Sequence, residues 1–305
     1  MGMTNEHISA DRIRGILWGL VCGDALGSPL EFKSRRQLAE RYPDGVTGMV
    51  AGWGNTAGRA AGEITDDSEM AIALLGSLVA AKGYDCKLTR AAYLRWLRSD
   101  PADCGITIAQ ALGWNEYNGE SEANGALMRI APVAIASVLY DFDWEMACIE
   151  DARQTHINVK CAVANIAYVA ALRALLAGKS PEAAWAAALD KVCKLPSPAL
   201  EARLLAAREA EPRYTPQGGW VEIAFHCAFY WLLHAESYEQ AMLHIVHQLG
   251  DPDTNGAIAG AMLGARFGES AIPAAWKQAV LDAPMAERPA EFRVPYALRL
   301  LDAAL

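Results

Sequence analysis

Apolar residues recur at helical spacing through most of the 305-residue chain. Positions three and four apart are apolar in RIRGILWGLVCGDALG, MAIALLGSLVAAKG and EIAFHCAFYWLLHA, and no segment shows convincing alternation with a period of two. The second half is rich in alanine, which has the strongest intrinsic helix propensity and lets helices pack closely. The pattern predicts an all-α fold.

Polar residues mark where several of the predicted helices begin. Thr65, Asp66 and Asp67 precede an apolar run, and Ser-Pro pairs at 180–181 and 197–198 open two alanine-rich runs. Hydroxyl and carboxylate side chains are favoured at these positions because they accept hydrogen bonds from the first free N–H groups of a helix. Most connections between helices should therefore be short.

Two stretches break the helical pattern, at 31–64 and 208–219. Both are rich in Gly, Pro and polar residues, which predicts long loops that either carry binding function or are ordinary surface segments. No internal repeat or linker divides the chain, and 53% hydrophobic residues suffice for a large core. We expect one domain over residues 1–305.

Composition narrows the partners and the compartment. The net charge of −9 argues against a nucleic-acid partner, because proteins that bind phosphate backbones concentrate Lys and Arg. We find no apolar run of the roughly 18–20 residues that a membrane span needs, and the start MGMTNEHISADRIRG lacks the apolar stretch of a signal peptide. The seven cysteines form no CxxC pair and are expected to be reduced. We therefore expect a cytoplasmic protein.

The candidate chemistry lies in two clusters of oxygen-bearing side chains. The first, Thr65-Asp66-Asp67, is by itself ordinary, because acids and hydroxyls are favoured at a helix N-terminus by capping and by the helix dipole. The second, GDPDTNG at 250–256, also precedes a helix of small residues, and it is not a calcium EF-hand loop because Met262 stands where the bidentate Glu is required. Hard divalent cations prefer oxygen ligands. Brought together, the two clusters could hold two cations that activate water, which is hydrolase chemistry.

Five segments resemble, in order along the chain, the motif set of the ADP-ribosylglycohydrolase family: GDALGSPLEF, ITDDSEMAIAL, NGALMRIAPVA, TH and GDPDTNGAIAGAMLGARFG. The resemblance extends over about residues 11–285 and is strongest to the bacterial branch, whose type is the dinitrogenase reductase-activating glycohydrolase. It implies a compact orthogonal bundle of helices. It also implies a hydrolase that removes ADP-ribose from a modified acceptor, with the arginine side chain of a protein as the favoured acceptor.

The resemblance further implies a binuclear centre of two Mg²⁺ or Mn²⁺ ions. The residues that match the family's ligands are Thr65, Asp66, Asp67, Asp251, Asp253 and Thr254. The family commonly has threonine where this chain has Ser68, and the hydroxyl is retained.

Two acidic residues match positions that the family places near the reaction. Asp103 is the first candidate to assist proton transfer, and Glu31 is the second. From the sequence alone, a turn aspartate after Pro101 and an exposed glutamate at the end of a helix explain them about as well.

Four residues match segments that contact the substrate in the family. Asn124 and Gly125 match the segment at the ribose and diphosphate. His156 matches the histidine of the family's T-H-x-x-P segment, expected at the ADP-ribose, although the proline is absent here. Trp220 stands where the bacterial enzymes stack a tyrosine on adenine. The alternatives are a common Asn-Gly turn and a buried core tryptophan.

Other functions stay open at this point. The chain could be an immunity or regulatory protein that occludes an ADP-ribosyltransferase toxin, or a hydrolase for ADP-ribosyl-serine, a nucleobase adduct or a small ester. We expect an ADP-ribosylated protein as the substrate and a monomer as the default state.

Overall fold

The computed structural model describes residues 9–195, 197–216 and 218–305, and within them the chain forms fifteen α-helices and no strand. The all-α prediction is therefore confirmed. In chain order the helices are α1 (Ala10–Gly27), α2 (Arg35–Arg41), α3 (Asp66–Ala81), α4 (Cys86–Arg98), α5 (Ile106–Ala109), α6 (Ala131–Leu139), α7 (Trp144–Arg153), α8 (Val159–Leu176), α9 (Pro181–Lys194), α10 (Pro198–Ala206), α11 (Val221–His234), α12 (Tyr238–His247), α13 (Pro252–Phe267), α14 (Ala274–Asp282) and α15 (Val294–Ala304).

The centre of the fold is the antiparallel pair of α1 and α13, whose backbones touch along their length. Each helix carries glycine at every fourth position, and each glycine on α1 faces a partner on α13: Gly15 with Gly264, Gly19 with Gly260, Gly23 with Gly256, and Gly27 with Pro252. A β-carbon at these α1 positions would lie 2.1 to 2.3 Å from a carbonyl oxygen of α13. Only glycine permits this approach. The pairing places the end of α1 beside the beginning of α13.

The other long helices surround this pair. Helices α11 and α12 pack on α13, α8 packs on α7, α9 and α6, and α3 packs on α4 and α6. Their contacting faces bury one continuous apolar cluster that includes the fully buried Trp96, Tyr168 and Phe225. Burial of this extended apolar surface is the dominant stabilising term for such a bundle.

The predicted helix starts agree with the structure. Helix α3 begins at Asp66 with Thr65 as its N-cap residue, α9 begins at Pro181 behind a Ser180 cap, and α10 begins at Pro198. The Ser180 hydroxyl accepts a hydrogen bond from the Ala183 N–H at 3.2 Å.

The long loop predicted at 31–64 is partly wrong. Residues Arg35–Arg41 form α2, which begins with a capping box between Ser34 and Gln37. The spacing of apolar residues does not predict this helix, because Leu38 is its one buried residue. The stretch 208–219 is irregular wherever the structure describes it, as predicted.

One described helix, α8, is apolar and long enough to cross a membrane by length and composition, with a mean hydropathy of 1.6. The expectation that no run reached this length was wrong for α8. Of this stretch, 78% is buried inside the fold, which is typical of a core helix. All seven cysteines are free, and Cys22, Cys148, Cys161 and Cys227 are buried among the helices.

Candidate active site

Two helix N-termini, remote in sequence, meet at one cavity. Thr65 is the N-cap residue of α3, with Asp66 and Asp67 in the first turn, and Asp251 is the N-cap residue of α13, with Asp253 in the first turn. The glycine contacts of α1 with α13 bring the end of α1 to the same place, and Glu31 follows after one short turn, Ser28–Leu30. The site is therefore a consequence of the packing at the centre of the bundle.

We call this space, of about 360 Å³, the central cavity. Ten of the twelve residues predicted from the sequence line it: Glu31, Asp66, Asp67, Asp103, Asn124, Gly125, His156, Asp251, Asp253 and Thr254. The spatial premise of the prediction, convergence of residues 65–67 with 251–254, holds in the structure.

The two remaining predicted residues lie in adjoining spaces. Thr65 lines a second cavity of about 350 Å³, which shares Asp66 and Asp103 with the central cavity. Trp220 lines a third and more open cavity, which shares Ala123 and Gly219 with the central one. The Trp220 side chain is 46% exposed, so the alternative of a buried core tryptophan is excluded.

Four carboxyl groups of the central cavity have raised pKa values, because they are buried close to one another. Burial, followed by repulsion from neighbouring acids, raises the pKa of Glu31 to about 7 and of Asp66 to about 8. The same two causes, in the same order, raise the pKa values of Asp67 and Asp253 well above the ordinary range. Groups of like charge gathered away from water favour their neutral forms or a bound counter-charge.

Several buried polar atoms of the cavity have no hydrogen-bond partner. They are Oδ1 of Asp67, Oε2 of Glu31 and Nε2 of His156. Unsatisfied buried polar atoms are costly, and their clustering at one cavity points to a ligand there.

The donor set fits hard divalent cations, because carboxylate and hydroxyl oxygens converge with free acceptor capacity. No group of three or more His, Cys, Asp or Glu side chains within the described parts of the chain is by itself arranged to hold a metal ion. Cations bound here would therefore take threonine hydroxyls and water among their ligands, as Mg²⁺ ordinarily does.

Asp24 holds the Thr65-Asp66-Asp67 turn in place, and the sequence did not indicate it. The fully buried Asp24 carboxylate accepts hydrogen bonds from the Thr65 N–H at 2.9 Å, from the Thr65 hydroxyl at 2.8 Å and from the Ser68 N–H at 3.2 Å, and also from the Ser68 hydroxyl. Asp24 on α1 thus supplies the cap that α3 lacks from its own N-cap side chain. The available signal was an acid inside the apolar run of α1.

Arg59 is a second residue that no sequence pattern indicated. Its Nη2 donates a hydrogen bond to Oδ2 of Asp103 at 2.5 Å and lies 3.8 Å from Oε2 of Glu31. The guanidinium therefore orients one candidate proton-transfer group and places a positive charge near the other. Arg59 belongs to the irregular part of the 31–64 segment, where no periodicity constrains position.

Asn124, Gly125 and His156 form the part of the cavity lining that lies beside the acids. The Asn124 amide donates to Oδ2 of Asp251 at 2.7 Å. His156 is buried, its Nδ1 lies 2.8 Å from the Thr155 hydroxyl, and burial followed by the charge of Arg129 lowers its pKa to about 3, so its ring is neutral. A β-carbon at Gly125 would lie 3.0 Å from the His156 ring, so glycine leaves the ring its space.

Backbone strain flanks the acids. Phe32, directly after Glu31, has φ +60°, and Leu249, which precedes Gly250 and Asp251, has φ +62°. Bulky side chains rarely adopt this left-handed region, and such strain concentrates at functional sites.

Comparison with known proteins identifies the family of the chain. The family model described as ADP-ribosylglycohydrolase matches residues 5–304. The ADP-ribosyl-[dinitrogen reductase] glycohydrolase of Rhodospirillum rubrum is 28% identical over 87% of this chain and 89% of its own, and the ADP-ribosylarginine hydrolase Tri1 of Pseudomonas putida (strain GB-1) is 29% identical over 88% and 74%. A solved structure described as an ADP-ribosylglycohydrolase-related protein complex has a TM-score of 0.77 and 27% identity, over 97% of this chain and 99% of that chain.

Proposed function

Because the chain belongs to the ADP-ribosylglycohydrolase family, we propose that it uses two divalent cations to hydrolyse the N-glycosidic bond between ADP-ribose and an arginine side chain of a modified protein. One observation carries the proposal. Two oxygen-rich helix N-termini, remote in sequence, face a single cavity that holds unpartnered buried carboxylate oxygens. The names of two relatives, an ADP-ribosylarginine hydrolase and a glycohydrolase for ADP-ribosyl-[dinitrogen reductase], favour a protein acceptor.

The cations, Mg²⁺ or Mn²⁺, would be held by the residues of the two helix N-termini: Thr65, Asp66, Asp67, Asp251, Asp253 and Thr254. When bound, such a pair lowers the pKa of a water ligand and orients substrate oxygens. The Asp24 carboxylate fixes the Thr65 turn before any cation arrives, and the Asn124 amide does the same for Asp251.

Proton transfer is assigned to Asp103, with Glu31 as the second candidate. Asp103 stands at the junction of two cavities, and Arg59 holds its carboxylate in one orientation. Glu31, whose pKa is raised to about 7 by burial and by Asp103, can hold or release a proton at neutral pH. Carboxylates at this position can also stabilise the positive charge of an oxocarbenium-like transition state.

The ADP-ribose moiety would lie along the part of the central cavity formed by Asn124, Gly125 and His156. His156 presents a free Nε2 of a neutral ring, and Gly125 lets the ligand approach the backbone. The exposed face of Trp220 in the adjoining cavity is available for stacking on adenine.

The test is ADP-ribose release from an ADP-ribosyl-arginine protein in the presence of Mg²⁺ or Mn²⁺. Asp66→Ala and Asp253→Ala should lose turnover and bind Mn²⁺ more weakly by isothermal titration, because each removes a charged ligand. Asp190→Ala, an exposed aspartate on α9 paired with Lys194, is the matched control and should behave as wild type. Wild-type turnover in both site variants would refute the metal mechanism.

The same assay separates the alternatives. Release of free ADP-ribose in a single turnover distinguishes hydrolysis from occlusion of a transferase toxin, which needs no product. Substrates linked through serine, a nucleobase or a small ester test the acceptor. Binding to a toxin, cytoplasmic location and a monomeric state stay predictions.

A further inference from the structure

The three cavities form a row along the protein. The cavity that Thr65 lines, which we call the acidic cavity, shares Asp66 and Asp103 with the central cavity. The central cavity in turn shares Ala123 and Gly219 with the cavity of Trp220. The candidate reacting acids therefore lie between two spaces, with the central cavity on one side and the acidic cavity on the other.

A glycosidic hydrolase must place the two halves of its substrate on opposite sides of the bond that breaks. If the proposed function is right, ADP-ribose fills the central and Trp220 cavities, and the acceptor half is left with the acidic cavity. We infer that the acidic cavity is the acceptor subsite, that it takes an alkylguanidinium side chain, and that Glu63 and Glu287 recognise the charge of that side chain.

The two arginines that line the acidic cavity are already paired. Arg288 donates to both carboxylate oxygens of Glu69, at 2.6 and 2.8 Å, and to the Ser99 carbonyl at 2.7 Å. Arg59 is paired with Asp103. With these two pairs neutralised, neither guanidinium is free to attract an anionic acceptor.

The remaining charge of the acidic cavity is negative. Glu63 is held in place by a hydrogen bond from the Ala60 N–H to its Oε2 at 2.8 Å, which leaves its Oε1 available. Glu287 is exposed at the rim and has no ion-pair partner within the described residues. These carboxylates are complementary to the planar donors of a guanidinium.

The apolar part of the lining suits the stem of an arginine side chain. Ile64, Ala102 and Met285 supply hydrocarbon and thioether surface between the acids. A long side chain with methylene groups and a cationic end packs its stem on such a surface while its head meets the carboxylates. A short neutral acceptor would leave both features unused.

The experiment uses two ligands of the same shape, butylguanidinium and the neutral butylurea, with the Mn²⁺-loaded protein. Binding is measured by saturation-transfer NMR, and inhibition is measured against ADP-ribose release from an ADP-ribosyl-arginine peptide. Butylguanidinium should bind and inhibit competitively, and butylurea should do so about 10-fold more weakly. The double variant Glu63→Gln/Glu287→Gln should weaken butylguanidinium by about 3- to 10-fold, the loss expected for two partly exposed charges, and leave butylurea unchanged.

The matched control is Glu236→Gln, which removes one exposed carboxylate just before α12 and away from the three cavities. Glutamine can still accept the Ala60 hydrogen bond, so the variants should fold. Equal affinity of the two ligands, or unchanged guanidinium affinity in the double variant, overturns the acceptor assignment. Absence of ADP-ribose release from every acceptor in wild type would instead overturn the proposed function, and the NMR comparison would still decide the charge preference of the acidic cavity.

Discussion

The contact of α1 with α13 makes a sharp prediction for Gly19→Ala. A β-carbon at residue 19 would lie 2.1 Å from the carbonyl oxygen of Gly260 and 2.7 Å from its carbonyl carbon, whereas real β-carbons essentially never approach within 3.0 Å. The overlap is therefore about 0.9 Å at least. It involves backbone atoms, so no change of rotamer relieves it, and the two helices must move apart.

The expected cost follows from two opposing terms. Overpacking of a well-packed core costs about 1–3 kcal/mol, and the rigid overlap places this site near the upper end. Alanine in a helix gains back about 1 kcal/mol relative to glycine. We therefore expect Gly19→Ala to lower the free energy of unfolding by about 2 kcal/mol, measured by chemical denaturation.

Gly76→Ala on α3 is the matched control. It gains the same helix propensity, and its β-carbon would meet no atom closer than 3.6 Å, on the ring of Tyr296. The control should be as stable as wild type or up to about 1 kcal/mol more stable. If Gly19→Ala matched the control, the close approach of α1 and α13 would be refuted.

Three further predictions concern buried charge, substrate contact and pH. Asp151→Ala should destabilise the protein by about 3–5 kcal/mol, because it leaves the fully buried Arg129 without its ion pair. Trp220→Ala should raise KM by about 5-fold or more with little change in kcat, since stacking on a base contributes at least about 1 kcal/mol. In chelator-treated protein, the free energy of unfolding should fall from about pH 6.5 to about pH 8 and level off above that, because over this range the folded protein still holds protons on Glu31 and Asp66, with pKa values of about 7 and about 8, that the unfolded chain has already released.

Each of these has its own check. Asp190→Ala, which breaks an exposed pair, should leave the unfolding midpoint unchanged. Trp114→Ala removes another exposed tryptophan that lines none of the three cavities, so an equal rise in KM there would argue against stacking. The pH window avoids His156, whose lowered pKa of about 3 costs stability only as pH falls below the ordinary histidine value. Saturating Mn²⁺ should abolish this fall in the free energy of unfolding. If the free energy of unfolding instead rose with pH in chelator, the raised pKa values of Glu31 and Asp66 would be contradicted.

The sequence predicted the helical class and most of the site because short-range patterns of residues indicate both. Helical periodicity marks α1, α3 and α11, and the oxygen-rich turns at 65–67 and 250–256 carry the family's motifs. Such signals need no knowledge of the tertiary structure. Helix α2 was missed for the opposite reason, since a helix that buries one residue leaves no periodic trace.

Asp24 and Arg59 could not be found in this way, because their roles depend on distant partners. Asp24 caps a helix that begins more than forty residues later, and the Arg59 guanidinium meets Asp103 across a separation of 44 residues. A local pattern contains neither partner. The four-residue spacing of glycines in α1 and α13 was visible in the sequence. That these glycines form the contact between the two helices is evident only from the structure, where the helices pack side by side in register.

The glycine contact and the carboxylates of the central cavity are two parts of one energetic arrangement. Gathering Glu31, Asp67 and Asp253 away from water is unfavourable, as their raised pKa values show, so the fold must hold them together by other interactions. The backbone contact of α1 with α13 contributes to this, because Glu31 ends the short turn that follows α1 and Asp253 lies in the first turn of α13. A looser pair of helices would let the acids separate and lose the unsatisfied oxygen atoms that fit cations. The glycine-mediated backbone contact of the two helices thereby holds together carboxylates that would otherwise move apart because they repel one another.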